Sequence, residues 1–339
     1  DLVADSSFFD GRLRGPGWDT RWSNRAYHAP IGALSVNFNT VTVKVLPGEE
    51  PGGKALVFID PQTSYARFKN MATTSTPGTR LSIVVGRVPT SYGDLITVRG
   101  KIPDNSRGVK KLLNISKPAL HAAALYHQVL QDVGVVVTGN HRLGKTPIYA
   151  AEHLVHESRP LSLIVWGLNK FSNNFIAEQI LKTMGAQFHG EPGTTAKGLR
   201  VVKEYMEDIG IKPESYTLVD GSGLSPSNRL SPAQIIWALR AAYRDFQVAP
   251  EFMASLGIMG ADGSLSQRLN ESPTRSNIRA KTGSLNSVSA LSGYARMPGV
   301  GPVAFSILLN GNSCEFYEAH DLQDKILSLL LGSTESGNP

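Results

Sequence analysis

Three short segments carry side chains able to do chemistry together: Ser172-Asn173-Asn174, Asp220-Gly221-Ser222-Gly223-Leu224-Ser225 and Lys281-Thr282-Gly283-Ser284. Each alone has an ordinary explanation. Ser172 or Asn174 can cap the helical run that carries Ile176, Ile180, Leu181 and Met184. The second segment suits a tight turn, because glycine tolerates positive φ and aspartate bonds to nearby backbone. Lys-Thr-Gly can simply end a strand. Their joint occurrence meets a single requirement. Acyl transfer from a peptide ending in a free carboxylate needs a nucleophile, a proton relay, an oxyanion hole and a cation that recognises the carboxylate. A Ser-x-Asn loop offers a hydroxyl to the relay and an amide to hold the substrate backbone. A Lys-Thr-Gly strand offers an ammonium and a hydroxyl, its glycine lets a ligand approach the backbone, and the next N–H can point into the oxyanion hole.

The residues around these motifs extend the pattern over nearly the whole chain. They are residues 2–9 (LVADSSFF), 15–18 (GPGW), 27–30 (YHAP), 33–37 (ALSVN), 169–178 (NKFSNNFIAE), 220–224 (DGSGL), 262–265 (DGSL) and 280–285 (AKTGSL). In these the chain resembles the active-site-serine penicillin-binding proteins, in particular the type-4 (class C) low-molecular-mass group, which are D-alanyl-D-alanine carboxypeptidases and endopeptidases. The resemblance implies an α+β fold, with helices packed on an antiparallel sheet in a transpeptidase-like domain and β-rich accessory domains beside it. It also implies a reaction through an acyl-enzyme on peptidoglycan stem peptides, inhibition by β-lactams, no metal or organic cofactor, and a place in the periplasm or extracytoplasmic cell wall. By the same resemblance Ser172 and Lys281 pass a proton to the leaving amine and Asn174 holds the acyl donor. Thr282 binds the carboxylate, Gly283 opens the strand to the ligand, and the N–H of Ser284 serves the oxyanion hole. Asp5 and Asn286 contribute to recognising the peptide side chain. Asn286 stands where a glutamine is often found, and Pro226 where some relatives have arginine, so the stem-peptide side chain is left open.

One essential part is absent from the sequence. No lysine has a serine three residues before it, so the Ser-x-x-Lys nucleophile of the family is missing. Thr194-Thr195-Ala196-Lys197 has the spacing with threonine but opens a predicted helix downstream of Ser-x-Asn, and Thr194 is expected to be a cap. The expectation is that the N-terminal segment bearing the serine is lost or omitted, that the chain begins inside the accessory region, and that these residues alone are inactive. The alternative is a non-catalytic peptidoglycan-binding or scaffolding protein.

Other chemistries find less support. His153 and His156 lie three apart, flanked by Glu152 and Glu157, and two imidazoles at that spacing can share a helix face around a metal. The surrounding Ile148, Ala150 and Pro160 favour a strand end or exposed loop. No Gly-x-Ser-x-Gly elbow appears. Cys314 is the single cysteine, which excludes an intrachain disulfide and a cysteine-based metal site.

The elements that must position these groups follow from composition and periodicity. At 339 residues the chain exceeds what one hydrophobic core usually serves. With 41% hydrophobic and 18% charged residues it reads as globular, and no apolar run reaches the roughly 18 residues of a spanning helix. The net charge of +6 is scattered, densest at Arg107 to Lys111, which suits a solvated surface and no nucleic-acid partner. Residues 1–150 read as a β-rich accessory region of two small domains, the inner one near 35–105. Strands are predicted at 34–45, 55–59, 80–87 and 94–101, and a helix from Pro118 to Gly134 with Ala119, Ala122, Leu125, Val129 and Val133 as its core stripe. Residues 151–331 read as the transpeptidase-like domain. It has helices at 194–209, from Ser231-Pro232, and at 318–331, and β-structure at 280–295 and 303–310. Residues 332–339 read as a frayed tail.

Overall fold

Alternation of β-branched residues with polar ones builds most of the first half of the chain. The computed structural model describes residues 1–18, 23–269, 275–297, 299–311 and 316–332. The chain divides into two compact units, one formed by Asp1–Arg14, Asp19–His153 and His189–Thr194, the other by Gly15–Trp18, Leu154–Phe188 and Thr195–Pro339.

The first unit contains β1 (Leu2–Ala4), β2 (Thr40–Leu46), β3 (Leu56–Asp60), β4 (Ala66–Ser75), β5 (Val84–Pro89), β6 (Asp94–Pro103), β7 (Val109–Asn114), α1 (Pro118–Asp132) and β8 (His141–Leu143). Its sheets have the orders β3-β2-β7, β4-β6-β5 and β1-β8. Val41, Val43 and Val45 of β2 alternate inward and join Ile96, Val98 and Ile102 of β6 in one core. Predicted strands at 55–59 and 94–101 fall on β3 and β6. The strand predicted from Leu34 begins only at Thr40, because Asn37, Phe38 and Asn39 adopt positive φ, and the Asn39 amide donates to Pro30 O and Ser35 Oγ at 2.8 Å each. The strand expected at 80–87 runs from Val84 to Pro89. The basic stretch at 107–111 leads into β7, a strand the sequence reading missed along with β4. Helix α1 begins at Pro118 as expected, yet Val129 and Val133 are exposed and its buried residues are Pro118, His121, Ala122, Ala123 and Ala124. The buried face thus belongs to the helix's N-terminal half alone.

The second unit contains α2 (Leu161–Phe171), α3 (Asn174–His189), α4 (Thr195–Asp208), α5 (Pro232–Arg244), α6 (Ala249–Ser255), β9 (Gly257–Ile258), β10 (Ile278–Leu285), β11 (Val288–Met297), β12 (Gly301–Asn310) and α7 (Phe316–Gly332). The sheet is antiparallel throughout, in the order β12-β11-β10-β9. Leu291 and Ala295 of β11 pack with Leu327 and Leu331 of α7. Tyr294 packs with Leu239 of α5 and Phe252 of α6. Neighbouring strand residues point to opposite faces, so helices cover both sides of the sheet. The β-structure expected at 280–295 is a hairpin, β10 and β11, turned by Asn286 and Ser287, with Ser287 at φ 60°. The helix from Ser231 carries a full capping box with Gln234 and a proline in its first turn. Helix α4 starts directly after Thr194, and α7 ends at Gly332, so the rest of the expected tail, 333–339, lies outside the described residues, as does Cys314. Glu152 to Glu157 form an exposed segment without regular structure. Among the described residues no helix is long and apolar enough to cross a membrane, and no group of three or more His, Cys, Asp or Glu is placed to hold a metal.

Candidate active site

The second unit brings Ser172 and Lys281 together, 109 residues apart in sequence: Lys281 Nζ donates to Ser172 Oγ at 2.6 Å. Two local features make this contact. Helix α2 ends at Phe171, and Ser172 follows in the left-handed region at φ 53° and ψ 54°, its N–H bonded to Leu168 O. A non-glycine residue there costs about 1–2 kcal/mol, and the reversal sets the hydroxyl in the junction between α2 and α3. The cap of α3 is neither Ser172 nor Asn174 but Asn173, whose Oδ1 accepts the Ile176 N–H at 3.1 Å. The residue between the two functional candidates takes the structural task, which leaves the Ser172 hydroxyl to Lys281. Asn174 is the first residue of α3.

Lys281 projects from β10, opposite Ser292 of β11. Its ammonium also donates to Thr282 O at 2.6 Å, and burial lowers its pKa to about 8. Thr282 follows with its Oγ1 2.9 Å from Ser264 Oγ. Gly283 sits opposite Ala290 and Ser284 opposite Ser289; Ser284 is exposed, as is Asn286 in the hairpin turn. Asp5 belongs to the first unit. Its carboxylate accepts the backbone N–H groups of Thr146 at 2.7 Å and Ser7 at 2.8 Å, and these bonds, Thr146 foremost, hold it well below the usual carboxylate range.

The sequence reading gave no role to Lys170, Asn169, Glu178 or Asp262, whereas the turn in which Asp220 bonds nearby backbone is found as expected. Lys170, buried two residues before Ser172, donates to both oxygens of Asp262 at 2.8 and 2.6 Å. Asn169 bonds Ser255 Oγ at 2.7 Å. Asp220 is the hub of the 220–225 loop: its carboxylate accepts Trp18 Nε1 at 2.9 Å, Gly223 N–H at 2.9 Å, Ser225 N–H at 2.8 Å and Asn228 Nδ2 at 2.8 Å. Glu178, fully buried on α3, accepts the N–H groups of Gly221 and Ser222 at 2.9 Å each, while burial pushes its carboxyl upward. Helix α3 therefore links the Ser172 junction at its start to the 220–225 loop through Glu178. Trp18, Lys170, Glu178 and Asp262 all fall within the stretches that carry the family resemblance. Their place inside those stretches is the one sequence signal they carry, since nothing in the residue types alone shows that the fold buries Lys170 and Glu178.

The D-Ala-D-Ala carboxypeptidase 3 (S13) family matches this chain over residues 1–330. A D-alanyl-D-alanine carboxypeptidase of Actinomadura sp. is 35% identical over 327 residues, which are 92% of this chain and 60% of that protein. The carboxypeptidase DacB of Haemophilus influenzae is 25% identical over 330 residues, 96% of this chain and 67% of that protein. The chain thus spans about 60% of the length of the Actinomadura relative. The crystal structure of penicillin binding protein 4 from Haemophilus influenzae matches with a TM-score of 0.78 at 23% identity, covering 96% of this chain and 74% of that one. The same protein complexed with a β-lactam matches with a TM-score of 0.70 at 22% identity, covering 88% and 70%. The likeness establishes the penicillin-binding-protein type of α+β fold that the sequence led us to expect.

Proposed function

This chain belongs to the D-Ala-D-Ala carboxypeptidase 3 (S13) family, and from that premise we propose that it is part of a serine-type D-Ala-D-Ala carboxypeptidase and endopeptidase that cleaves peptidoglycan stem peptides through an acyl-enzyme and is inhibited by β-lactams. The observation that carries the reading is the 2.6 Å bond from the Lys281 ammonium to the Ser172 hydroxyl. An ammonium whose pKa is lowered to about 8 exchanges protons readily near neutral pH, and Ser172 is placed to hand that proton to the leaving amine.

The attacking serine is not among these 339 residues, which contain no Ser-x-x-Lys. In the complete protein it adds to the carbonyl of the penultimate D-Ala, its neighbouring lysine taking the proton. The tetrahedral oxyanion is bound by the N–H of Ser284 together with that of the serine, each donor contributing about 3 kcal/mol to the transition state. Collapse breaks the C–N bond, the amine leaves with a proton delivered through Ser172 and Lys281, and water releases the acyl group. Asn174 holds the acyl donor, Thr282 binds the terminal carboxylate, and Gly283 keeps the strand open to it. Asp5 and Asn286 bear on the stem-peptide side chain. The work is done at the cell wall, outside the cytoplasm.

A fluorescent penicillin tests this directly. The full-length protein should be labelled covalently at a serine outside this chain, whereas the 339 residues alone should remain unlabelled. Absence of labelling in the full-length protein would instead favour a non-catalytic peptidoglycan binder.

A further inference from the structure

Lys281 and Thr282 are neighbours on β10, and neighbouring strand residues project to opposite faces. The support that Ser172 gives Lys281 therefore does not extend to the Thr282 side chain. Thr282 has its own partner, Ser264, whose Oγ lies 2.9 Å from Thr282 Oγ1. Ser264 is exposed, so it is not there to fill the core.

The segment carrying Ser264 is fixed on both sides. Before it, the Asp262 carboxylate accepts two bonds from Lys170 and the Ile258 N–H at 2.7 Å. Gly263 lies at φ +60°, where a Cβ would come within 2.9 Å of Lys170 O, so only glycine lets the segment approach α2 this closely. After it, Leu265 is fully buried, and its carbonyl accepts the Gly260 N–H at 3.0 Å. Ser264 is thus an exposed hydroxyl on a segment anchored on both sides, set against the group proposed to bind the substrate carboxylate.

A hydroxyl has a single proton. Thr282 can donate it to a carboxylate while its own oxygen is satisfied by another donor, and a donor at that oxygen polarises the O–H outward. We infer that Ser264 is a positioning residue for the carboxylate subsite: its hydroxyl donates to Thr282 Oγ1 and directs the Thr282 proton toward the terminal carboxylate of the substrate. This rests on the function proposed above and adds a residue to that site.

The test uses the full-length protein and two substrates, a peptide ending in D-Ala-D-Ala with a free carboxylate and its C-terminal carboxamide. Ser264→Ala should lower kcat/KM for the carboxylate peptide about tenfold, chiefly through KM, near the upper end of what one neutral hydrogen bond contributes. Turnover of the carboxamide should stay within about twofold, and Ser264→Thr should restore the carboxylate peptide. Equal losses on both substrates, or no loss on either, would overturn the assignment, and an unchanged melting temperature separates it from misfolding. A wild type that processes neither substrate nor takes up fluorescent penicillin defeats the functional reading itself, and this inference with it.

Discussion

Both units bury charged side chains, and they do so in different ways. In the first unit Arg87 and Asp94 meet at 2.9 Å with about 1% of either side chain exposed. Around them Asp94 accepts Tyr65 Oη, the Ser116 N–H and the Ser116 hydroxyl at 3.0, 2.9 and 2.7 Å, and Arg87 reaches Asn114 Oδ1 at 2.8 Å. Asn114 in turn donates to three backbone carbonyls, of Ser23, Arg25 and His28. His121, stacked edge-on to Tyr65, is lowered to about 4 by the same burial. Charge there is matched by charge. In the second unit Lys170 follows that rule with Asp262, but Lys281, next to the buried Ala280 on β10, meets a hydroxyl and a carbonyl. A buried pair that is fully matched fixes architecture; a half-buried ammonium held by neutral oxygens is left able to move a proton.

Lys281→Met in the full-length protein should slow penicillin acylation by about 10³-fold, within the range for loss of a positioned acid or base, while the melting temperature holds. Arg87→Met should do the reverse. It leaves Asp94 buried without its counter-charge, a loss of about 3–5 kcal/mol, seen as a lower denaturant midpoint, with acylation of the folded fraction unchanged. The smallest effect is on pH. If Lys281 must be protonated to supply the leaving group, kcat/KM for peptide hydrolysis should fall as pH rises through about 8, approaching tenfold per unit beyond it.

How much of this was legible in the sequence depended on whether pattern and task agreed. The valines of β2 point inward on a simple alternation and were read correctly as strand. In β5 the pattern is inverted: Val84 and Val88 are exposed while Arg87 is buried, because the ion pair with Asp94 outweighs hydrophobicity at that position. Strand β4 (ARFKNMATTS) has no clean alternation and is held by its parallel pairing with β6, which local sequence does not encode. Ser172 and Lys281 were singled out because their residue types suit one reaction, and the structure brings them within 2.6 Å of each other. Their supports were not, since an aspartate such as Asp262 or a glutamate such as Glu178 reads as surface until the fold buries its partner. The capping role of Asn173 was hidden for a related reason: three consecutive polar residues can each cap a helix, and only the backbone reversal at Ser172 selects among them.

Whether Ser172 and Lys281 act as one unit is read out by a double-mutant cycle on the full-length protein. Acylation rates for Ser172→Ala, Lys281→Met and the double variant should show strong coupling, the double variant losing little more than the worse single one. Losses that multiply, each residue contributing independently of the other, would contradict the account.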